Sequence, residues 1–294
     1  MTEHDISFDL LQNAIDYLEG GAEAADHDTP RDWKYALLHL VSAIELLLKA
    51  RLFQEHWSLV FADVDKADAQ RFLQGDFVSV EWNQAVNRVR NISGVKLGKR
   101  ELTKLDALRK YRNRVQHFAI AVNREQILPP IAYGYHFCLD FIEKELNETL
   151  SEDGRRCTMQ VAQRLTSFNE FVTVRTRELE TKLNDAYNRI DCPRCWQDAM
   201  ELGNGDPRCL FCGFSASPES VADEISAEGG PEPCPECGGP CMRLIIGAGD
   251  QMEWVCLECG QQDDYDFCIT CGALTNDDLS GQCRSCWEEQ INRD

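Results

Sequence analysis

The sequence predicts an all-α helical bundle, joined by a long linker helix to small four-cysteine modules with short β-hairpins, and three observations predict it. Apolar residues recur at three- and four-residue steps through most of the first 190 positions, with no long period-two alternation. Twelve of the fifteen cysteines form six C-x2-C pairs, all beyond residue 191. All six histidines precede that point and thirteen cysteines follow it, so two regions of different chemistry share the chain. A length of 294 residues agrees with about two domains.

In the first region, Ile6, Leu10, Ile15 and Leu18 share one helix face, and Gly20-Gly21 reads as its stop. From Asp32 to Phe53, Trp33, Leu37, Leu40, Ile44, Leu47, Leu48 and Leu52 make a second stripe, in which Glu45 and Lys49 stand as an i,i+4 pair. Further helices are expected from Val80 to about Ile92, from Arg100 to Val122, and from about Pro130 to Leu150, where Pro129 and Pro130 suit a helix start. These give a domain of about five helices over residues 1–155. Leu165, Phe168, Val172, Leu179, Leu183, Ala186 and Ile190 then predict one amphipathic connecting helix over 156–190, which packs back on the bundle or pairs with its copy in another subunit.

The cysteine pairs are Cys192/Cys195, Cys209/Cys212, Cys234/Cys237, Cys256/Cys259, Cys268/Cys271 and Cys283/Cys286. Taken two by two they give C-x2-C-x13-C-x2-C, C-x2-C-x18-C-x2-C and C-x2-C-x11-C-x2-C. Zinc prefers four soft ligands at tetrahedral angles, and two knuckles joined by a hairpin supply them. Three zinc ribbons are therefore expected, at 191–216, 230–262 and 265–294, with about three structural Zn2+ ions and none for catalysis. Glycine follows the second cysteine in CLFCG, CPECG, CLECG and CITCG, where a knuckle turns back with positive φ. Cys241 lies beside the second site and could substitute for a neighbour, whereas Cys138 and Cys157 read as ordinary thiols.

The formal net charge is -20, and from Cys192 to Asp294 twenty acidic residues face five arginines and no lysine. Phosphate affinity needs Lys and Arg, so this end is not a nucleic-acid reader. It suits docking to a basic protein partner, covering a basic cleft of the same chain, or serving simply as structural end-caps. No run approaches the roughly 20 apolar residues of a membrane span, and MTEHDISFDL lacks the layout of a secretory signal. Paired thiols favour a reducing compartment, so the cytoplasm is the expected location, with no membrane partner.

One segment reverses the charge. Between Arg88 and Arg114, ten cations (Arg88, Arg90, Lys96, Lys99, Arg100, Lys104, Arg109, Lys110, Arg112, Arg114) face only Glu101 and Asp106. Such a run is either a solvated helix face or a footprint for a polyanion, and the excess against the global trend favours the second. Lys99, Arg100, Lys104, Arg109, Lys110 and Arg114 are the candidate RNA-binding residues. The run ends in YRNRVQHF, where four residues separate Arg112 from His117. His39, His56 and His136 read as packing residues, and Walker, H-E-x-x-H and G-x-S-x-G sequences are absent.

Arg112-x4-His117, with polar Asn113 after the arginine, resembles the Arg-x4-6-His motif of the HEPN family, and HLVSAIELLLKARL at 39–52 is similar to that family's early helix, with Glu45 inside an apolar run. The resemblance covers roughly residues 5–150. It implies a five-helix bundle, commonly dimeric, that cleaves RNA without metal. Arg112, Asn113, His117 and Glu45 would then be the catalytic set. His117 would act as acid or base, Arg112 as a phosphate clamp, and Asn113 would orient the phosphate or ribose. Glu45 would hold Arg112 or His117, or else pair with Lys49. One histidine per chain cannot be both acid and base, so a homodimer would complete the site. The implied protein is an endoribonuclease for single-stranded RNA, of a toxin-antitoxin or defence kind; the alternative is a non-catalytic scaffold whose ribbons recruit proteins. Some related toxins carry a tyrosine two positions after the histidine, where this chain has Ala119.

Overall fold

The computed structural model describes residues 9–27, 29–118, 123–186, 188–203, 205–225, 230–245, 252–277 and 279–292. Ile6, His4 and Ala119 lie outside them. The chain divides into two compact units, 1–177 and 178–294.

Unit one is helical. Helix α1 (Leu10–Ala25) starts under a capping box, in which the Asp9 side chain accepts from the Gln12 N–H at 2.8 Å and Gln12 accepts from the Asp9 N–H at 3.1 Å. Helix α2 (Pro30–Glu55) begins with proline after the Thr29 cap, and it buries Leu37, Leu40, Ile44, Leu47 and Leu48 completely. Two short 3-10 turns and helix α3 (Ala69–Gln74) follow, then α4 (Trp82–Asn91) and α5 (Lys99–His117). Helix α6 (Arg124–Phe141) ends in a π-turn over Ile142–Leu146, and α7 (Glu152–Arg164) and α8 (Asn169–Asp185) complete the series.

Several expectations change here. Among its described residues eight helices begin in this unit, against about five and a connecting helix expected, because the 57–74 segment adds one and the connecting helix divides in two. Gly20 and Gly21 do not stop α1. A Cβ at Gly21 would lie 2.8 Å from the Tyr135 Oη and 3.1 Å from the His39 Cβ, so the glycine allows close helix packing. Pro129 and Pro130 lie inside α6, whose start is set by Asn123 accepting from the Gln126 N–H at 2.9 Å. The single helix expected over 156–190 is two. A 3-10 turn at Leu165–Ser167 and an extended Phe168, whose ring stands 5.3 Å from that of Trp33, break it. Ile190 belongs to a strand.

Among its described residues, unit two carries nine short strands in three antiparallel sheets. Strands β1 (Asn188–Asp191), β2 (Asp198–Leu202) and β3 (Arg208–Cys209) form the first, and helix α9 (Pro218–Ile225) follows. Strands β4 (Glu232–Pro233), β5 (Pro240–Ile245), β6 (Met252–Cys256) and β7 (Gln262–Asp263) form the second, and β8 (Asp266–Phe267) with β9 (Leu274–Thr275) the third. The first two sheets touch backbone to backbone. A Cβ on Gly260 would stand 3.2 Å from Gly203 Cα, and both glycines have positive φ. Tyr265 and Leu274 pack with Cys234, Cys241, Trp254 and Cys256, joining the second and third modules in one small core. The last element, α10 (Arg284–Ile291), starts at Cys283, so the third module closes with a helix instead of a second knuckle.

Among the described residues, no helix is long and apolar enough to cross a membrane.

One contact in unit one sets α5 against α2. Gly134 of α6 sits where a Cβ would meet Leu40 Cδ2 at 2.6 Å and Leu108 Cδ1 at 2.8 Å. Gly134→Val is expected to lower the unfolding free energy by about 1–3 kcal/mol through overpacking, measured by denaturant titration of the helical signal. An unchanged midpoint with an unchanged slope contradicts this packing.

Candidate functional site

Helix α5 carries seven of the ten cations of the segment, and its inner face is fixed by buried Leu105 and Leu108. One and two turns further, Arg112 reaches α2 and its Nη2 donates to Glu45 Oε1 in a half-buried ion pair. A second N–H of Arg112 donates to Gln116 at 3.4 Å. Glu45 therefore serves Arg112, while Lys49, one turn along, donates to Ser79 Oγ at 3.1 Å. Burial pushes the Lys49 ammonium down from its ordinary value, with Glu45 opposing.

A cleft of about 470 Å³ opens beside this pair, lined by Glu45, Lys49, Ser79, Trp82, Arg112 and Asn113 among others. His117 does not line it. The imidazole is exposed at the last residue of α5, five residues beyond Arg112. One chain thus brings Arg112, Asn113 and Glu45 together and leaves His117 at the open helix end.

The cationic footprint is smaller than the residue count suggests. Arg88 is spent on structure, donating to the carbonyls of Leu59 at 2.7 Å, Phe61 at 2.5 Å and Ala62 at 3.0 Å. Asp106 receives Arg109 and Lys110, both at 2.7 Å, and these bonds, with that from Lys110 foremost, hold its carboxyl below the usual range. The Lys104 ammonium stands 3.6 Å from the centre of the Tyr133 ring. Lys99, Arg100 and Arg114 are exposed, as are Arg90 and Lys96. Two histidines outside the motif have structural places: His136 is buried beside Arg175, and His56 caps a 3-10 turn by accepting from the Ser58 N–H at 3.2 Å.

In unit two the twelve paired cysteines gather in three groups of four: Cys192/Cys195/Cys209/Cys212, Cys234/Cys237/Cys256/Cys259 and Cys268/Cys271/Cys283/Cys286. Within each group the sulfurs lie within 4.8 Å of one another. Individual separations include 3.7 Å for Cys195–Cys209, 3.5 Å for Cys237–Cys256 and 3.7 Å for Cys271–Cys283. A tetrahedral zinc at about 2.3 Å from each sulfur needs an edge of about 3.8 Å, whereas a disulfide needs about 2.05 Å. The groups fit three structural zinc sites. Backbone N–H groups point at the sulfurs, as from Cys212 to Cys209 Sγ at 3.4 Å and from Cys283 to Cys268 Sγ at 3.2 Å. With a second such bond from Cys271, the latter lowers the Cys268 thiol to about 6, which favours the thiolate a metal requires.

Cys241 stays out of the second group. Its side chain is fully buried in the small core, and burial pushes the thiol up to about 12. Gly213, Gly238, Gly260 and Gly272 all take positive φ after the second cysteine of a pair, as the spacing predicts. In the first knuckle Trp196 fills that place with φ 58° and an exposed ring, a conformation costing a non-glycine residue about 1 kcal/mol.

Lys49, Ser79 and Trp82 went unnoticed as site residues. The position of Lys49 one turn after Glu45 was the available signal; Ser79 is thirty residues away from it and left none. No family model, curated protein or solved structure matches the chain.

Metal analysis of the purified chain is expected to find three zinc ions, still three for Cys241→Ser, and two for Cys195→Ser. A loss in the Cys241 variant contradicts the ligand assignment.

Proposed function

We propose that the chain is a metal-independent endoribonuclease of HEPN type that cleaves single-stranded RNA at a composite site in a homodimer. The observation that carries this reading is the arrangement on α5. Arg112 is oriented by Glu45 at the mouth of a polar cleft, with Asn113 beside it and His117 exposed on the same helix.

RNA carries its own nucleophile. One His117 takes the 2′-OH proton as that oxygen attacks phosphorus, and the second His117 of the dimer protonates the 5′-oxygen as the P–O5′ bond breaks. The two arginines neutralise charge on the phosphorane, and Asn113 donates to the phosphate or ribose. The products end in a 2′,3′-cyclic phosphate and a 5′-OH. Exposed Lys99, Arg100 and Arg114 draw the strand in, with Lys104, Arg109 and Lys110 contributing as partners exchange. Zinc in the four-cysteine groups supplies folding energy and no chemistry. The acidic ribbons bind a basic protein partner or restrain the chain's own basic segment. Thiolate sites suit a reducing compartment, in keeping with a cytoplasmic toxin or defence effector.

A second reading, a non-catalytic helical scaffold whose ribbons recruit proteins, is favoured by the engagement of Arg112 with Glu45 and of Arg109 and Lys110 with Asp106.

The test is cleavage of single-stranded RNA by zinc-loaded protein without added divalent metal. Wild type is expected to cut, and His117→Ala to lose about 100-fold or more. Absent wild-type cleavage, or equal cleavage by the variant, removes the enzyme reading.

A further inference from the structure

Lys49 is a cation that the Arg-x4-His pattern does not include. It shares the cleft with Arg112 and Asn113 and is flanked by Ser79 and Trp82. Its hydrogen bond goes to a neutral hydroxyl, and the one nearby carboxylate that opposes its neutralisation, Glu45, is already paired with Arg112. A half-buried ammonium held this way is poorly compensated, and an anion entering the cleft would offset the lost hydration. An ammonium has three N–H donors and a guanidinium five. The bonds to Ser79, Glu45 and Gln116 commit three of the eight, so both groups retain donors for a ligand. Glu81 also lines the cleft, while Arg109 enters it bound to Asp106 and Arg112 bound to Glu45, so the cation held only by a neutral group is Lys49.

We propose that this cleft is a phosphate subsite in which Lys49, beside Arg112 at the scissile phosphate, holds the adjacent phosphodiester of single-stranded RNA. This rests on the ribonuclease reading and adds to it a binding residue outside the motif. Lys49 lies on α2 and His117 at the end of α5, so the strand passes Arg112 on its way between them. The ammonium acts as a point charge on phosphate, so it contributes affinity and salt dependence, and it takes no part in proton transfer.

The experiment measures binding of a fluorescent ten-nucleotide 2′-fluoro RNA, which lacks the attacking hydroxyl, across a salt series by anisotropy. Lys49→Met is expected to weaken binding about tenfold and to make the slope of log affinity against log salt shallower by about 0.7, the loss of one single-strand phosphate contact. Lys49→Arg restores the slope. A lysine that merely pins Ser79 would leave the slope unmoved. On wild-type protein, bound oligonucleotide also protects Lys49 from trace acetylation read by mass spectrometry, which needs no folded variant. An unchanged slope in Lys49→Met, no binding by wild type, or undiminished acetylation at saturation overturns the subsite. If the slope change holds while wild type cuts no RNA, the subsite stands as a binding site and the nuclease reading falls. If His117-dependent cleavage holds with an unchanged slope, only the subsite falls.

Discussion

A carboxylate on the core-packed helix α2 determines where the cationic helix can put its guanidinium. Glu45 sits between fully buried Ile44 and Leu47 on α2, so its side chain has little freedom, and Arg112 is bound to it. The approach of α5 is set by apolar contacts, with Leu105 and Leu108 buried and Gly134 of α6 leaving room for Leu40 and Leu108. The ion pair then fixes rotation, because only one face of α5 can offer Arg112 to α2. Asn113 and the cleft follow from that rotation, and His117 comes out at the exposed end. Removing Glu45 would leave a half-buried guanidinium without its partner, the costly way to break such a pair.

The two units reach order by different physics. Unit one buries long apolar stripes, whereas unit two has modules too small for a core of their own and gathers thiols in fours. Each four-thiolate zinc carries a formal charge of about -2, which deepens the negative field of a region already poor in cations. A surface of that sign repels phosphate and attracts basic segments. The contrast in charge between a cation-bearing helix and an acidic four-cysteine end follows from composition alone.

Features that depend on near neighbours in sequence were legible. The stripe of α2, the extent of α4, the three cysteine groups and the positive φ of Gly213, Gly238, Gly260 and Gly272 all match the pattern. What failed depends on partners far along the chain. Gly20-Gly21 looked like a stop because the residues it packs against, His39 and Tyr135, are not local. Arg88 counted towards the cationic run because charge counting cannot see the carbonyls of Leu59, Phe61 and Ala62 that it binds. Phe168 broke the expected linker helix by packing on Trp33, more than a hundred residues earlier. In the site, Arg112, Asn113 and Glu45 were identified together, while Lys49 was read as a mere i,i+4 partner.

In the proposed composite site, two copies of one helix end share a groove, with one imidazole as base and the other as acid. Mixing wild type with His117→Ala, allowing subunits to exchange, and following RNA cleavage against the wild-type fraction tests this directly. Activity that falls as the square of the wild-type fraction is the predicted result, since a mixed dimer lacks one of the two proton carriers. Activity that falls in simple proportion would mean that each chain cuts alone, and would contradict the composite site.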